Sequence, residues 1–395
     1  MSMKTIAVIF GGRSAEHDVS IVTALSSVIK PLELSKHYQV EAIYVAKDGS
    51  WYWDNRLKDI KFYQSDEIEV FMHKAPKVHL LFDSGLTLVK SSQFAGRKKY
   101  KKVDIVFPAM HGTYGEDGSL PGLLEMANVP YVGCDLQSSV VAMDKILSKL
   151  VARNAGLKTV PDVTFSRRDY ERSHDELLKQ IETKLKYPVF VKPPHLGSSI
   201  GVTKVENRRE LQNAIEVSLH YDTNVLVEMA VRNLREATLP IMGYGDEIIP
   251  AKLEEPMFKS DEFFDFDTKY MGQGKNGGKK MGVEGAKQGA QGYSRIPADF
   301  PPKLYEEAQA VAIAGYRAAG CSGIARVDIL INEKTKDVYF NEINPLPGSL
   351  YAHNWRVAGI SSIDLVERLL YFAEKRHTER QQLTTSFSTN FLKQF

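Results

Sequence analysis

Ala325-Arg326-Val327-Asp328-Ile329-Leu330 and Phe340-Asn341-Glu342-Ile343-Asn344-Pro345 are the two stretches on which the reading of this chain turns. Both are apolar runs carrying charged or amide side chains at alternate positions. Residues two apart on a strand face the same side. Arg326 therefore points with Asp328, and Glu342 with Asn344. If the two strands are neighbours, three oxygen ligands converge. The flanking apolar residues predict buried strands, and buried carboxylates need partners. Hard oxygen ligands that include carboxylates suit magnesium, which normally arrives with nucleotide phosphates. Two strands with solvated polar faces would give the same pattern.

Several upstream stretches carry chemistry of the same kind. Lys192-Pro193-Pro194-His195-Leu196-Gly197-Ser198-Ser199-Ile200-Gly201 places a lysine at a strand end before a loop of small residues. The lysine supplies charge, and the glycines let backbone N–H groups approach oxygen. No Gly-Lys-Ser/Thr follows, so this is not a P-loop, and an ordinary hairpin turn is the competing reading. Lys145, in Met143-Asp144-Lys145, is a weaker candidate that reads equally as a solvated helix lysine. Glu228 ends an apolar strand and Glu236 follows, an arrangement able to offer backbone groups to adenine and a carboxylate to ribose. His111-Gly112-Thr113-Tyr114-Gly115-Glu116-Asp117-Gly118 sets glycines beside titratable groups just after a strand. Glu16-His17, after Gly11-Gly12, does the same, with helix capping by Ser14 or Glu16 as the alternative.

The 395 residues suggest two or three domains, and 43% hydrophobic with 25% charged residues is ordinary for a soluble globular chain. A formal charge of +2 gives no reason to expect nucleic acid or acidic lipid as a partner. The two cysteines, Cys134 and Cys321, form no disulfide framework and no metal-type spacing, which fits a reduced, cytoplasmic compartment. Ile6–Phe10 is a strand's length of apolar sequence stopped by Gly11-Gly12, so neither a signal peptide nor a membrane span is expected there. Strand patterns at Ile6–Phe10, Gln39–Val45 and Asp104–Pro108, with a helix pattern over Val19–Ile29, predict a parallel α/β sheet. Further on, a helix is expected over Val140–Ala155 and strands over Tyr187–Pro193, Asn224–Glu228, Ala237–Gly243, Ile324–Ile331 and Asp337–Glu342. An amphipathic helix is expected over Pro302–Ala319. Met271–Arg295 reads as a long irregular, glycine- and lysine-rich loop, and such loops are usually functional or disordered.

Taken in this order, these blocks resemble the D-alanine–D-alanine ligases of the ATP-grasp superfamily. The likeness spans about residues 4 to 375 and rests on Gly11–Ser20, His111–Gly118, Met143–Lys145, Lys192–Gly201, Lys269-Tyr270 and Arg326–Gly348. It implies an ATP-grasp fold: an N-terminal parallel α/β, Rossmann-like domain (1–139), and two α+β subdomains (140–235 and 236–376) sandwiching ATP, with a polar tail (377–395). It further implies that Lys145 and Lys192 contact ATP phosphates while the loop Gly197-Ser198-Ser199 closes over them. Glu228, with the backbone of Met229 and Val231, would hold adenine, and Glu236 the ribose. Asp328, Glu342 and Asn344 would bind two Mg2+ ions, with Mn2+ as a substitute. Glu16 would take the amine of the first D-alanine, with His111 and Glu116 also beside substrate. Arg326 and the backbone at Gly348 would face the acyl phosphate and the second substrate. Lys269 and Tyr270 would belong to a covering loop, for which Met271–Arg295 is the candidate. A homodimer is expected from the resemblance alone.

The chain departs from the family's pattern near the acceptor. His353 stands where a serine is usual, Pro345 where threonine is usual, and the loop after Tyr270 is longer. The leading expectation is synthesis of D-alanyl-D-alanine for the cell wall, and Tyr270 favours an amine acceptor. A ligase using D-lactate, D-serine or another amino acid is the alternative, and a nucleotide-binding regulator without turnover is the reading from another class.

Overall fold

The computed structural model describes residues 3–83, 85–91, 98–257, 287–289 and 292–395. Strand β1 (Lys4–Gly11) is buried along all but its first residue, as its apolar sequence requires. It stops at Gly11, whose φ is +89° and where a Cβ would lie 2.3 Å from the Val45 carbonyl oxygen, so only glycine permits this approach. The helix that follows is longer than the Val19–Ile29 expected. Helix α1 (His17–Thr23) runs through π-helical turns at Ala24–Ile29 into α2 (Lys30–Ser35). Strand β2 (Tyr38–Val45) lies parallel to β1, with β3 (Trp51–Trp53) antiparallel on its outer edge. Two short helices, α3 (Ile60–Tyr63) and α4 (Glu67–Lys74), lead to a meander of β4 (Val78–Phe82), β5 (Leu86–Ser91) and β6 (Lys98–Val103). The sequence reading did not identify this meander, because four lysines in Lys98–Val103 mask the strand period. Strand β7 (Ile105–Ala109) then pairs parallel with β1, giving the order β3-β2-β1-β7. Helix α5 (Ser119–Met126) covers it.

The helix expected over Val140–Ala155 is two helices, α6 (Leu136–Met143) and α7 (Lys145–Asn154). Asp144 separates them, with extended backbone (φ −93°, ψ 109°), and its carboxylate accepts the N–H groups of Ile146 and Leu147 at 2.8 and 3.1 Å. That cap overrides the helical pattern and sets Lys145 at the first position of the new helix. The central sheet follows from β8 (Asp162–Ser166), α8 (Arg167–Lys184), β9 (Val189–Lys192), β10 (Thr203–Val205), α9 (Arg208–Tyr221) and β11 (Asn224–Met229), with strand order β10-β9-β11-β8.

The third sheet has the order β13-β12-β17-β18 and is built from β12 (Leu234–Tyr244), β13 (Glu247–Pro250), β17 (Gly323–Asn332) and β18 (Val338–Asn344). Helix α10 (Pro302–Ala318) covers one face, its apolar stripe buried against Ala325, Val327 and Phe340. Part of the stretch expected to be irregular is regular. Strands β15 (Lys287–Gly289) and β16 (Gly292–Arg295) pair with each other, and β16 pairs with β14 (Glu255–Pro256).

Helices α11 (Ala352–Val357) and α12 (Ser362–Gln381) close the chain. Residues Leu365, Val366, Leu369 and Phe372 of α12 join Ile6, Val8, Phe10, Met242 and Ile324 in one core, which ties the first sheet to the third. Arg376, on the same helix, donates to the carbonyls of Gly133 and Tyr131 at 2.6 and 2.8 Å and lies over the Tyr131 ring. The boundary expected at residue 376 therefore falls inside a helix that continues to Gln381. The segment beyond is not simply polar, since Phe387, Phe391, Leu392 and Phe395 are exposed there. No helix among the described residues is long and apolar enough to cross a membrane.

Candidate active site

The two stretches quoted first do form neighbouring antiparallel strands. Asp328 on β17 lies directly opposite Glu342 on β18, and Arg326 opposite Asn344, with a bulge after Asp328. The buried Arg326 guanidinium makes a two-pronged bridge to Asp328, Nε–Oδ1 2.7 Å and Nη2–Oδ2 2.6 Å. Glu342 lies 3.3 Å from the ammonium of Lys145. Each expected metal carboxylate is thus matched by a cation from the chain. Among the described residues no group of three or more His, Cys, Asp or Glu is set to hold a metal. The donor set expected here is two carboxylates and an amide, and two adjacent hard oxygen donors fit magnesium chemically. Asn344, with its amide turned to satisfy its neighbours, donates to Glu116 Oε1 at 3.1 Å.

Lys145 joins this pair of strands to the candidate phosphate loop. Its N–H donates to the Pro194 carbonyl at 3.1 Å and its ammonium to the Leu196 carbonyl at 2.7 Å. In that loop Ser198 and Ser199 have left-handed backbone, φ +53° and +58°. The Ser198 hydroxyl donates to the Glu16 carboxylate, so the loop reaches the first glycine turn. His17 locks that turn, with Nδ1 2.7 Å from the Gly12 carbonyl and Nε2 3.1 Å from the Tyr44 hydroxyl.

Glu116 is buried and its two oxygens accept from the backbone N–H groups of Gly112 and Leu346, at 2.5 and 3.1 Å. It therefore fastens the second glycine turn to the end of β18. Burial first, and then the nearby Glu16 carboxylate, hold its carboxyl well above the usual carboxylate range. His111 is also buried, its Nε2 2.9 Å from the Thr23 hydroxyl, and burial pulls it down to about 4, so it is neutral at pH 7. One cleft is lined by Glu16, His111, Glu116, Lys145, Gly197, Ser198, Arg326, Glu342, Asn344 and Gly348, which lie far apart in sequence.

Lys192 and Glu228 form a second group beside this cleft. Lys192 ends β9 and its ammonium lies 2.8 Å from Glu228 Oε2 on β11. The other carboxylate oxygen of Glu228 lies 2.8 Å from Lys149, a residue the sequence reading missed. Lys149 is one helical turn beyond Lys145, and that spacing was a legible signal. Burial raises the Glu228 carboxyl, but the two lysines outweigh it and bring the group down to about 2. Burial lowers Lys149, more than Glu228 can restore. The N–H of Met229 is given to the Pro161 carbonyl at 3.0 Å. Val231 and Glu236 are half-buried, and Glu236 lies near enough to act on Lys192.

After Gly348 the chain makes an unexpected left-handed turn, with φ of +50°, +53° and +52° at Ser349, Leu350 and Tyr351. Each such residue costs about 1–2 kcal/mol. Burial of the Leu350 and Tyr351 side chains and a 2.9 Å bond from the Ser349 N–H to Thr23 hold it. The turn lays the Tyr351 ring against Arg326, centroid to guanidinium carbon 5.3 Å. His353 does not line the cleft. Its Nε2 lies 2.9 Å from Glu254, to which Asn354 also donates. Lys269, Tyr270 and most of Met271–Arg295 lie outside the described residues.

Three sheets of these topologies meet with lysines and carboxylates at their junction, and comparison with known proteins gives the class, an ATP-grasp ligase. Family models described as "D-ala D-ala ligase N-terminus" and "D-ala D-ala ligase C-terminus" match residues 5–134 and 151–371. The chain belongs to the D-alanine–D-alanine ligase family. The D-alanine–D-alanine ligase of Chloroherpeton thalassium is 36% identical over 96% of this chain and 99% of its own length. That of Acetivibrio thermocellus is 36% identical over 95% and 97%. Among solved structures, the D-alanine–D-alanine ligase from Coxiella burnetii superposes with a TM-score of 0.74 at 29% identity, covering 96% of this chain and 97% of its own. The VanG D-Ala:D-Ser ligase from Enterococcus faecalis gives 0.75 at 29% identity, covering 94% and 100%.

Proposed function

We propose that this chain joins two D-alanines to D-alanyl-D-alanine at the expense of ATP, in the cytoplasm, for peptidoglycan precursors. The observation that carries the reading is the position of Lys145. It bonds the phosphate loop at Leu196 and lies 3.3 Å from Glu342, beside Asp328 and Arg326, so the elements suited to phosphate, cation and carboxylate meet at one residue. Glu16 would take the ammonium of the first D-alanine within the cleft. The carboxylate of that D-alanine attacks the γ-phosphate and ADP leaves, with Lys145 and Lys192 neutralising the charge that moves. Phosphoryl transfer asks for positioning and charge compensation more than for covalent help from the protein. The second D-alanine gives its ammonium proton to solvent as it enters, and its free amine attacks the acyl-phosphate carbonyl. The C–N bond forms and the C–O bond to phosphate breaks, with Arg326 placed to meet the departing oxyanion. Asp328, Glu342 and Asn344 would hold magnesium, which supplies further neutralisation of phosphate charge when bound. The acyl phosphate hydrolyses readily, so the cleft must exclude water, a task we assign to the loop at Ser198-Ser199.

Mass spectrometry of products formed from ATP with D-alanine alone, and with D-alanine plus D-lactate or D-serine, tests the reading. D-alanyl-D-alanine with stoichiometric phosphate release is expected. A product that forms only when D-lactate or D-serine is present would replace D-alanine as the acceptor, and ATP turnover without ligation would remove the reading altogether.

A further inference from the structure

His195 lies three residues beyond Lys192, and none of the roles assigned above uses it. Its Nδ1 is 2.8 Å from Asp222 Oδ2, and its Nε2 is 3.2 Å from Asp144 Oδ2. Its backbone N–H donates to the same Asp222 oxygen at 3.0 Å. Both ring nitrogens thus face carboxylate oxygens, and a carboxylate only accepts. A neutral imidazole would turn a lone pair against one of them, whereas the doubly protonated ring satisfies both. The charge of His195 is therefore built into its surroundings. In agreement, the bonds to Asp144 and Asp222 push its pKa up to about 10.

Each partner sits at a junction. Asp144 breaks α6 from α7 and caps α7 with its other oxygen. Asp222 ends α9 and accepts the Asn224 N–H that opens β11, the strand of Glu228. The residues on either side of His195, Pro194 and Leu196, are the two held by Lys145, through its N–H and its ammonium. The stem of the phosphate loop is thereby sewn to the start of α7 on one side and to the start of β11 on the other. The small residues beyond, Gly197 to Gly201, are left outside the seam.

We infer that His195 is a positioning residue for nucleotide: as a cation between Asp144 and Asp222 it holds Lys145 and Lys192 at the separation needed to address one polyphosphate. It also compensates two carboxylates that would otherwise present uncancelled negative charge beside the phosphates. The inference rests on the reading of Lys192–Gly201 as the phosphate loop. His195 does not touch nucleotide in this account, and its effect is carried by Lys145. Hydrogen bonds between charged groups are the stronger ones a side chain makes, but His195 is half-exposed, so a loss of about tenfold in nucleotide affinity is expected from removing it.

The test compares H195Q and H195A with the parent chain and with K192M as control. Binding of the β,γ-imido analogue of ATP is measured by calorimetry, the KM values for ATP and D-alanine by phosphate release, and melting temperature by fluorimetry. Both His195 variants are expected to bind the analogue about tenfold more weakly and to raise the KM for ATP similarly. The KM for D-alanine should stay within about twofold and the melting temperature within about 2 °C. His195 borders a cavity open to solvent, walled by Asp144, Arg167, Tyr221 and Asp222. Added imidazole should therefore restore nucleotide affinity to H195A, saturably, and leave the parent unchanged. Unaltered nucleotide affinity in both variants would overturn the inference. So would a joint loss of nucleotide affinity, D-alanine KM and melting temperature that imidazole does not repair, since that is a purely structural role. If K192M binds the analogue like the parent, the reading of the loop itself fails and the inference falls with it, a result distinct from either of the others.

Discussion

Replacing Glu228 with Gln tests the buried charge group that supports the nucleotide side of the site. Glu228 is 2% exposed and lies between Lys149 and Lys192, each at 2.8 Å. Its folded-state pKa is about 2, against an ordinary 4.5. At 1.36 kcal/mol per pH unit that gap corresponds to roughly 3 kcal/mol of stability. Because the folded value is depressed, the contribution is fully present above about pH 4.5 and is lost as pH falls toward 2. The glutamine variant leaves the buried Lys149 ammonium without its anion, a change that typically costs about 3–5 kcal/mol. The two estimates agree, so a loss of about 3 kcal/mol at pH 7 is expected, or about 5 °C in melting temperature for a chain of this size. Part of the cost can be relieved by deprotonating Lys149, which burial already holds below the ordinary lysine range. The variant should accordingly gain more stability than the parent as pH rises above 7 toward the ordinary lysine value. Scanning fluorimetry from pH 4 to 9 measures both effects. The double variant K149M/E228Q removes one cation together with the anion and should regain at least half of the loss, since contacting residues couple. Equal melting temperatures for E228Q and the parent at pH 7 would refute the reasoning, as would a double variant whose losses simply add.

Three further outcomes are expected. K145M should lower ligation by about a hundredfold or more in a phosphate-release assay, because it removes both the tie to Leu196 and the partner of Glu342. G112A should raise the KM for D-alanine by about tenfold, since at φ +72° the new Cβ would sit 2.4 Å from the Ser14 hydroxyl and 2.8 Å from Glu16 Oε2 and would displace the carboxylate; steady-state kinetics with D-alanine varied will show it. R376M should destabilise the chain by about 3 kcal/mol in a urea titration while leaving the KM for ATP near its parent value, because Arg376 joins Tyr131 and Gly133 to the last helix away from the cleft.

The sequence was most legible where local pattern and chemistry coincide. Alternation in Arg326–Leu330 and Phe340–Asn344 gave both strands and the faces of Asp328 and Glu342, and the strands are neighbours as that reading required. The run Ile6–Phe10 and its glycine stop were equally plain, because a buried parallel strand is apolar throughout. Other elements were hidden by their own composition. The lysine-laden strand Lys98–Val103 has no readable period, and the break at Asp144 is a side-chain cap inside a helical pattern. The short strands at Lys287–Gly289 and Gly292–Arg295 pair with each other, and the second with Glu255–Pro256, a partnership between segments distant in sequence.

The sequence by itself determined the kinds of groups present, their order, the family, and a chemistry built from lysines, carboxylates and glycine turns. Only the tertiary structure decided how those groups share their charges. Nothing local announces that Glu228 is divided between Lys149 and Lys192, that His195 is clasped by Asp144 and Asp222, or that His353 turns away from the cleft toward Glu254. The physical reason is that buried charges must be matched within a few ångströms. Their partners come from other strands and helices, so the pairing exists only once the sheets have packed.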